Sequence, residues 1–97
     1  MDKLKIGVIG LRFGQFLVRT VAHMQDVQLV AVADRSTQFP DGLQNYAARY
    51  GAKGYASSAE MFEQETLDAV LIATSPRHRA DVIKEAGGRG IAMFIEK

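Results

Sequence analysis

Short apolar runs alternate with helical patterns along almost the whole chain. Five runs rich in β-branched and other apolar residues predict strands, and they cover residues 5–9, 27–33, 54–56, 69–73 and 91–95. Strands that are buried on both faces show this continuous hydrophobicity. Because helical patterns separate the runs, we predict an α/β fold: a doubly wound parallel sheet of five strands in the order 3-2-1-4-5.

The segments between the strands carry apolar residues at intervals of three and four, which is typical of helices with one buried face. In the first helix, the stripe expected to face the sheet consists of Phe13, Phe16, Leu17, Thr20, Val21 and Met24. Ser57 to Glu60 have capping-box spacing and predict the start of a short helix. Ser75 followed by Pro76 predicts an N-cap and a proline in the first turn of another helix.

Composition and charge narrow the range of partners. The 97 residues suffice for one domain, and 12 basic against 11 acidic residues give a net charge of +1. Such a weak field gives no reason to expect binding to nucleic acid or to a membrane surface. The chain has no cysteine, which excludes disulfides and thiolate zinc sites, and we predict no metal site. The N-terminal apolar run is too short for a signal peptide, so we expect a cytoplasmic protein.

The first candidate for binding chemistry is the turn after the first strand, which consists of Gly10, Leu11, Arg12, Phe13 and Gly14. In an open parallel sheet, ligands bind beyond the carboxyl ends of the strands. A pyrophosphate needs bare backbone there, and a helix that begins near Phe13 would offer free N–H groups. The turn departs from the Gly-x-Gly-x-x-Gly pattern, because Arg12 takes the second glycine place and the third is moved to Gly14. A tight turn without a ligand is the alternative.

Asp34 ends the second predicted strand, 24 positions after Gly10. The dinucleotide fingerprint has an acidic residue about 20 positions on, where it accepts hydrogen bonds from the adenosine ribose. The guanidinium of Arg35 could pair with a 2′-phosphate, so the sequence leaves NAD and NADP open as the cofactor. A solvated loop carboxylate is the alternative interpretation of Asp34.

The fourth and fifth strands end at the same predicted edge of the sheet. The loop after the fourth strand contains Thr74, Ser75, Pro76 and His78. In the predicted strand order this loop lies beside the glycine turn, where its backbone could cover a cofactor. A lone histidine such as His78 is more often a surface or capping residue than a catalyst. The last strand is followed by Glu96 and Lys97.

Taken together, these motifs resemble the Gfo/Idh/MocA family of oxidoreductases. The shared features are the glycine turn, Ala-Asp-Arg after the second strand, residues 68–74 leading into Ser-Pro-Arg-His, and a strand ending in Glu-Lys. The resemblance spans all 97 residues and implies an N-terminal Rossmann domain that binds NAD(P). In the family, a C-terminal α/β domain supplies most of the substrate site and mediates oligomerisation. The resemblance therefore implies that residues 1–97 are truncated before that domain, and that the parent protein forms homo-oligomers.

The resemblance also implies roles for particular residues. The glycine turn matches the family's Gly-x-Gly-x-Gly variant, with Arg12 in place of the middle glycine, and Asp34 matches the ribose-binding acid. The loop from Thr74 to His78 approximates Thr-Pro-x-His with one residue inserted. Glu96 and Lys97 match the family's Glu-Lys-Pro motif, in which the lysine lies near the nicotinamide and the substrate. Lys97 would then be the acid/base or polarising group.

The function implied is transfer of hydride between a nicotinamide and a sugar, polyol or similar small hydroxy or carbonyl compound. The alternative is a non-enzymatic nucleotide- or CoA-binding module, because the fold does not fix the function. A phospho-acceptor domain is excluded, since Gly10 and Leu11 stand where an acidic cluster would be needed. Residues 91–95 would form an unpaired edge strand, so we expect the 97-residue chain to form dimers or larger species.

Overall fold

The computed structural model describes residues 3–35 and 42–96, and of Phe13 it describes the backbone. In chain order the elements are β1 (Leu4–Ile9), α1 (Leu11–Ala22), β2 (Val27–Ala33), α2 (Leu43–Ala48), β3 (Lys53–Tyr55), α3 (Ser58–Gln64), β4 (Ala69–Ile72), α4 (Pro76–Gly88) and β5 (Ala92–Ile95). The five strands form one parallel sheet in the order β3-β2-β1-β4-β5. The predicted fold class and strand order are confirmed.

The centre of the sheet is β1, which pairs with β2 on one side and with β4 on the other. Val8 stands opposite Val32 of β2 and Leu71 of β4. Val8 and Val32 are completely buried, because helices cover both faces of the sheet. This double burial explains why the central strands are continuous apolar runs rather than alternating patterns.

The two faces carry separate hydrophobic clusters. On one face α1 and α2 contribute Leu11, Val18, Val21, Tyr46 and Ala47. On the other face α3 and α4 contribute Met61, Phe62, Val82 and Ala86. The connections between parallel strands therefore wrap around both sides of the sheet, which is the doubly wound arrangement.

The predicted sheet-facing stripe of the first helix is partly wrong. Helix α1 begins at Leu11, directly after Gly10, rather than near Phe13. Its buried positions are Leu11, Gly14, Val18 and Val21. Phe16 is 66% exposed and Met24, beyond the helix end, is 48% exposed. The reason is steric: a Cβ on Gly14 would lie 3.1 Å from Val8 Cγ1, so the helix turns its smallest residue to the strand.

Several local predictions are confirmed by the geometry. Ser57 is the N-cap of α3, and its hydroxyl accepts a hydrogen bond from the Glu60 N–H at 3.2 Å. Ser75 is the N-cap of α4 and Pro76 is its first residue, although the Ser75 side chain makes no capping hydrogen bond. Among the helices of the described chain, none has both the length and the apolar character to cross a membrane.

Candidate functional site

A cleft of about 550 Å³ opens at the carboxyl ends of β1, β2 and β4. Seven of the residues predicted for the site line it: Gly10, Arg12, Asp34, Arg35, Thr74, Ser75 and His78. They come from three segments that are distant in sequence, and the strand order brings them to one edge of the sheet. The volume lies within the usual range for small-molecule and cofactor sites.

Gly10 lies where the glycine turn packs closely against the β4–α4 loop at the base of the cleft. Its φ is +88°, a conformation that L residues with a side chain rarely adopt. Its N–H donates to the Ala33 carbonyl at 2.9 Å. A Cβ at this position would lie 2.9 Å from backbone atoms of both Ala73 and Thr74. Glycine is therefore required here twice, by its φ and by the close approach of the β4–α4 loop.

The turn is one residue shorter than the Gly-x-Gly-x-x-Gly pattern, since Gly10 and Gly14 are four positions apart rather than five. The helix consequently starts directly after Gly10, and Arg12 lies in its first turn with an exposed side chain. Gly14 lies beneath this turn, against Val8. The glycines of the pattern serve three functions: a tight turn, close approach of the backbone to a pyrophosphate, and close packing of helix on strand. The first and the third are present here, at Gly10 and Gly14.

Asp34 joins the glycine turn to the end of β2. Its Oδ2 accepts a hydrogen bond from the Leu11 N–H at 2.6 Å, across 23 positions of sequence. A carboxylate at the N-terminus of a helix is stabilised by the free N–H groups and by the helix dipole. The Asp34 N–H in turn donates to the Tyr55 carbonyl at 3.0 Å, which holds the acid at the edge of the sheet.

Arg35 and His78 face each other from opposite sides of the cleft. Arg35 Nη1 lies 2.8 Å from His78 Nδ1. Because a guanidinium can only donate, Nδ1 of His78 is the acceptor in this contact. This contact links the end of β2, next to Asp34, to the first turn of α4.

The lining of the cleft includes a buried hydroxyl that has no hydrogen-bond partner among the described residues. Thr74 Oγ1 is buried and makes no hydrogen bond within the described chain. Buried hydroxyls normally have a partner, because leaving one unpaired costs free energy. The hydroxyl, the bare backbone at Gly10 and the nearby Asp34 carboxylate together fit a bound dinucleotide, which has both donors and acceptors to offer.

The other predicted site residues do not line the cleft, or lie outside the description. Leu11 is completely buried and faces the core, so only its backbone meets Asp34. Gly14, Pro76 and Glu96 are not among the lining residues. The side chain of Phe13 and all of Lys97 lie outside the described part of the chain.

The structure adds one wall that the sequence analysis missed. Ser57 and Ser58, at the start of α3, line the cleft, as does Asp81 of α4. The capping pattern at Ser57 predicted a helix start but gave no sign that it would face the glycine turn. Where a helix N-terminus points depends on the tertiary packing of α3 against the sheet.

Arg79 connects the β4–α4 loop to the end of β5. Its Nη2 donates to the Glu96 carbonyl at 2.9 Å and to the Thr74 carbonyl at 3.3 Å. The Glu96 N–H also donates to the Ile72 carbonyl at 2.8 Å. The last described residue is therefore held on both sides of its peptide backbone. Arg79 was not identified from the sequence, because its partners are backbone carbonyls that no motif marks.

These features define a class of protein: an open α/β domain with a glycine turn and a strand-end acid at the switch point of the sheet, as in dinucleotide-binding Rossmann domains. The family comparison agrees over residues 4–97, which match the oxidoreductase family with an NAD-binding Rossmann fold, GFO_IDH_MocA. The chain belongs to this family, as its NAD-binding domain. The resemblance noted in the sequence is confirmed.

Named relatives and solved structures are similar to the chain over nearly its whole length. The rhizopine catabolism protein MocA of Rhizobium meliloti is 33% identical over 98 aligned residues, covering 100% of this chain and 30% of that protein. A myo-inositol dehydrogenase structure from Corynebacterium glutamicum superposes with a TM-score of 0.85 and 32% identity, covering 99% of this chain and 28% of that one. The scyllo-inositol dehydrogenase of Lactobacillus casei, solved with bound NAD(H) and scyllo-inositol, gives a TM-score of 0.84 at 25% identity, over 99% and 28% of the two chains.

The chain spans about three tenths of the length of the curated relatives that it matches. The shared part is the five-stranded sheet described above, with its helices.

Proposed function

We propose that the cleft binds the nicotinamide dinucleotide of an oxidoreductase whose substrate is a polyol, a sugar or a similar small hydroxy or carbonyl compound. The observation that carries the proposal is the 2.6 Å contact between the Asp34 carboxylate and the Leu11 N–H. It places a strand-end acid at the N-terminus of the helix that follows the glycine turn. The polyol class is chosen because the similar proteins include inositol dehydrogenases.

The binding roles follow from the position of each group in the cleft. The backbone of the glycine turn and the first turn of α1 would receive the pyrophosphate, with the Arg12 guanidinium beside it. Asp34 would accept hydrogen bonds from the adenosine ribose. Arg35 would pair with a 2′-phosphate, which would let the cleft take NADP as well as NAD. The loop of Thr74, Ser75, Pro76 and His78 would cover the cofactor, and the Thr74 hydroxyl would gain its missing partner.

Lys97 is the proposed acid/base group. When bound, the nicotinamide supplies the hydride acceptor. On oxidation, Lys97 Nζ would accept the proton of the substrate hydroxyl as the hydride leaves the carbon for the nicotinamide, which would leave a carbonyl product. On reduction, Lys97 returns that proton. Glu96 precedes it, and its backbone is bonded to the Ile72 carbonyl and to Arg79.

The domain would be one part of a larger protein. A C-terminal domain beyond Lys97 would complete the substrate site and mediate assembly into homo-oligomers. The cytoplasmic location expected from the sequence remains a prediction.

Calorimetric titration of the 97-residue chain with NADH and with NADPH tests the binding proposal. We expect saturable binding, and Asp34→Asn should weaken it about tenfold, because a neutral amide accepts ribose hydrogen bonds less strongly than a carboxylate. Asp26→Asn is the matched control, since Asp26 is exposed and precedes β2 at the opposite edge of the sheet. The control should bind like the unaltered chain.

The preferred nucleotide reports on the neighbouring arginine. If NADPH binds more tightly, Arg35→Ala should remove that preference without weakening NADH. If neither nucleotide binds to the unaltered chain, Arg12→Gly is titrated in the same way. Restored binding would show that the Arg12 side chain blocks the pyrophosphate. Continued absence of binding would refute the proposal for this chain.

A further inference from the structure

We propose that Arg79 is a positioning residue that fixes the peptide unit carrying Lys97 against the cofactor loop. The carbonyl that Arg79 binds is the Glu96 oxygen, which belongs to the peptide bond between Glu96 and Lys97. The same Nη2 binds the Thr74 carbonyl of the loop that lines the cleft. One guanidinium therefore sets the distance between the strand end that leads to Lys97 and the loop over the nucleotide. The inference rests on the proposed function only for the role of Lys97.

Within residues 3–35 and 42–96, the end of β5 has few other contacts. The strand is at the edge of the sheet and pairs with β4 alone. Phe94 is 61% exposed and Ile95 is 43% exposed, so side-chain packing contributes little near the strand end. The backbone bond from Glu96 N–H to Ile72 fixes one side of the last described residue, and Arg79 fixes the other. Losing Arg79 would leave Glu96 with only the bond of its N–H among the hydrogen bonds of the described residues.

Arg79 is suited to this task by its surroundings. Its side chain is only partly exposed, and its Nε is buried without a hydrogen-bond partner in the described residues. No carboxylate within the described chain forms an ion pair with it. A guanidinium that is partly removed from water and has no carboxylate to bind forms stronger hydrogen bonds to carbonyl oxygens. Its contacts are thus directed to the loop and to the strand end.

The test compares Arg79→Gln and Arg79→Lys with the same changes at Arg77, an exposed arginine two positions earlier in α4. The first readout is amide hydrogen exchange of the 97-residue chain, followed residue by residue by NMR. We expect Arg79→Gln to speed exchange of the Glu96 amide about tenfold, and Val70 to be unaffected, because local opening is confined to the released segment. Arg79→Lys should restore part of the protection, since one ammonium can reach one carbonyl.

The second readout is turnover of the full-length protein with a polyol and NAD. We expect Arg79→Gln to lower kcat about tenfold or more, because small displacements of a catalytic group are costly, and to leave the cofactor Kd within about twofold. Arg77→Gln should leave both unchanged. Unaltered exchange in Arg79→Gln, or faster exchange with an unaltered kcat, would overturn the inference.

The two readouts also separate this inference from the proposed function. If the unaltered full-length protein turns over no polyol while the exchange pattern is as expected, the proposed function fails and the fixing of the Lys97 peptide by Arg79 stands. Loss of cofactor binding together with kcat would show that Arg79 supports the loop alone, and would refute the positioning of Lys97.

Discussion

Replacing Gly10 with alanine tests the packing that shapes the cleft. The new Cβ would stand 2.9 Å from three backbone atoms of Ala73 and Thr74, at a φ of +88°. The backbone strain costs about 1–3 kcal/mol. The clash adds about 1–3 kcal/mol, as is usual for overpacking a well-packed site. The expected loss of about 2–6 kcal/mol is large against the total stability of about 5–15 kcal/mol of a small domain.

Two further glycine-to-alanine changes separate the strain from the clash. Gly90 has a φ of +71° with open space around it, so Gly90→Ala should cost only the strain, about 1–2 kcal/mol. Gly87 lies in α4 at an ordinary φ, and its Cβ would touch only Met93 at 4.0 Å. Gly87→Ala should therefore stabilise the chain, by up to about 0.5–1 kcal/mol.

The assay is urea unfolding of the three variants and the unaltered chain, with the slopes compared to confirm two-state behaviour. The Gly10→Ala loss must exceed the Gly90→Ala loss by at least about 1 kcal/mol, since overpacking rarely costs less. Equal losses would refute the close approach of the glycine turn and the β4–α4 loop, and with it the account of the cleft floor.

Three other predictions concern the core, the pH dependence and the sheet edge. Val18→Ala should destabilise the chain by about 2 kcal/mol, whereas Phe16→Ala should cost under about 0.5 kcal/mol, because only the valine is buried; equal losses in urea unfolding would contradict the assigned helix face. Burial, together with the hydrogen bond to Glu65, raises the pKa of Tyr55 from its ordinary value of about 10 to about 12. As the pH rises, Tyr55 loses its hydroxyl proton in the unfolded chain before it does so in the folded one. The stabilisation that protonated Tyr55 gives the folded chain is therefore complete below pH 10 and is lost between pH 10 and 12. Tyr55→Phe should flatten the fall in the free energy of unfolding over this pH range. The edge position of β5 predicts association of the 97-residue chain, which Ile95→Lys should abolish in light scattering; a monomer at high concentration before the change would refute it.

The sequence was sufficient for the fold because each element carries its own local signal. The buried strands are unbroken apolar runs, and glycine, serine and proline mark where the elements begin and end. The strand order then follows from right-handed crossovers between parallel strands. These are short-range or topological constraints, and a pattern of residue types expresses them directly.

The helix face was harder to predict, because apolar residues stand on more than one side of α1. Spacing favoured Phe13 and Phe16, but the sheet requires a close approach at Gly14. A small residue in a helix is therefore a better indicator of the buried face here than a large aromatic one. A hydrophobicity pattern ranks residues by their transfer free energy and does not include the distance between backbones.

The site could be predicted only as a collection of segments. Gly10, Asp34 and Thr74 were each recognised, and their convergence followed from the strand order. The direct contacts did not: Leu11 N–H to Asp34, Arg35 to His78, and the wall at Ser57 depend on side-chain rotamers and on helix placement. These contacts join residues 23 and 43 positions apart. The fingerprint spacing marked Asp34 as a candidate but did not show that its carboxylate would bind the Leu11 N–H.

The most direct test of the central claim is an NMR titration of the isotope-labelled 97-residue chain with NADH. If the cleft is the nucleotide site, the amide shifts will concentrate at Gly10, Leu11, Asp34 and Thr74 and will saturate together. Asp34→Asn should raise the NADH concentration that half-saturates each of these shifts, by the same factor at every residue. Saturable shifts centred elsewhere, such as on the exposed face of β5, or no shifts at all, would contradict the assignment of this cleft as the dinucleotide site.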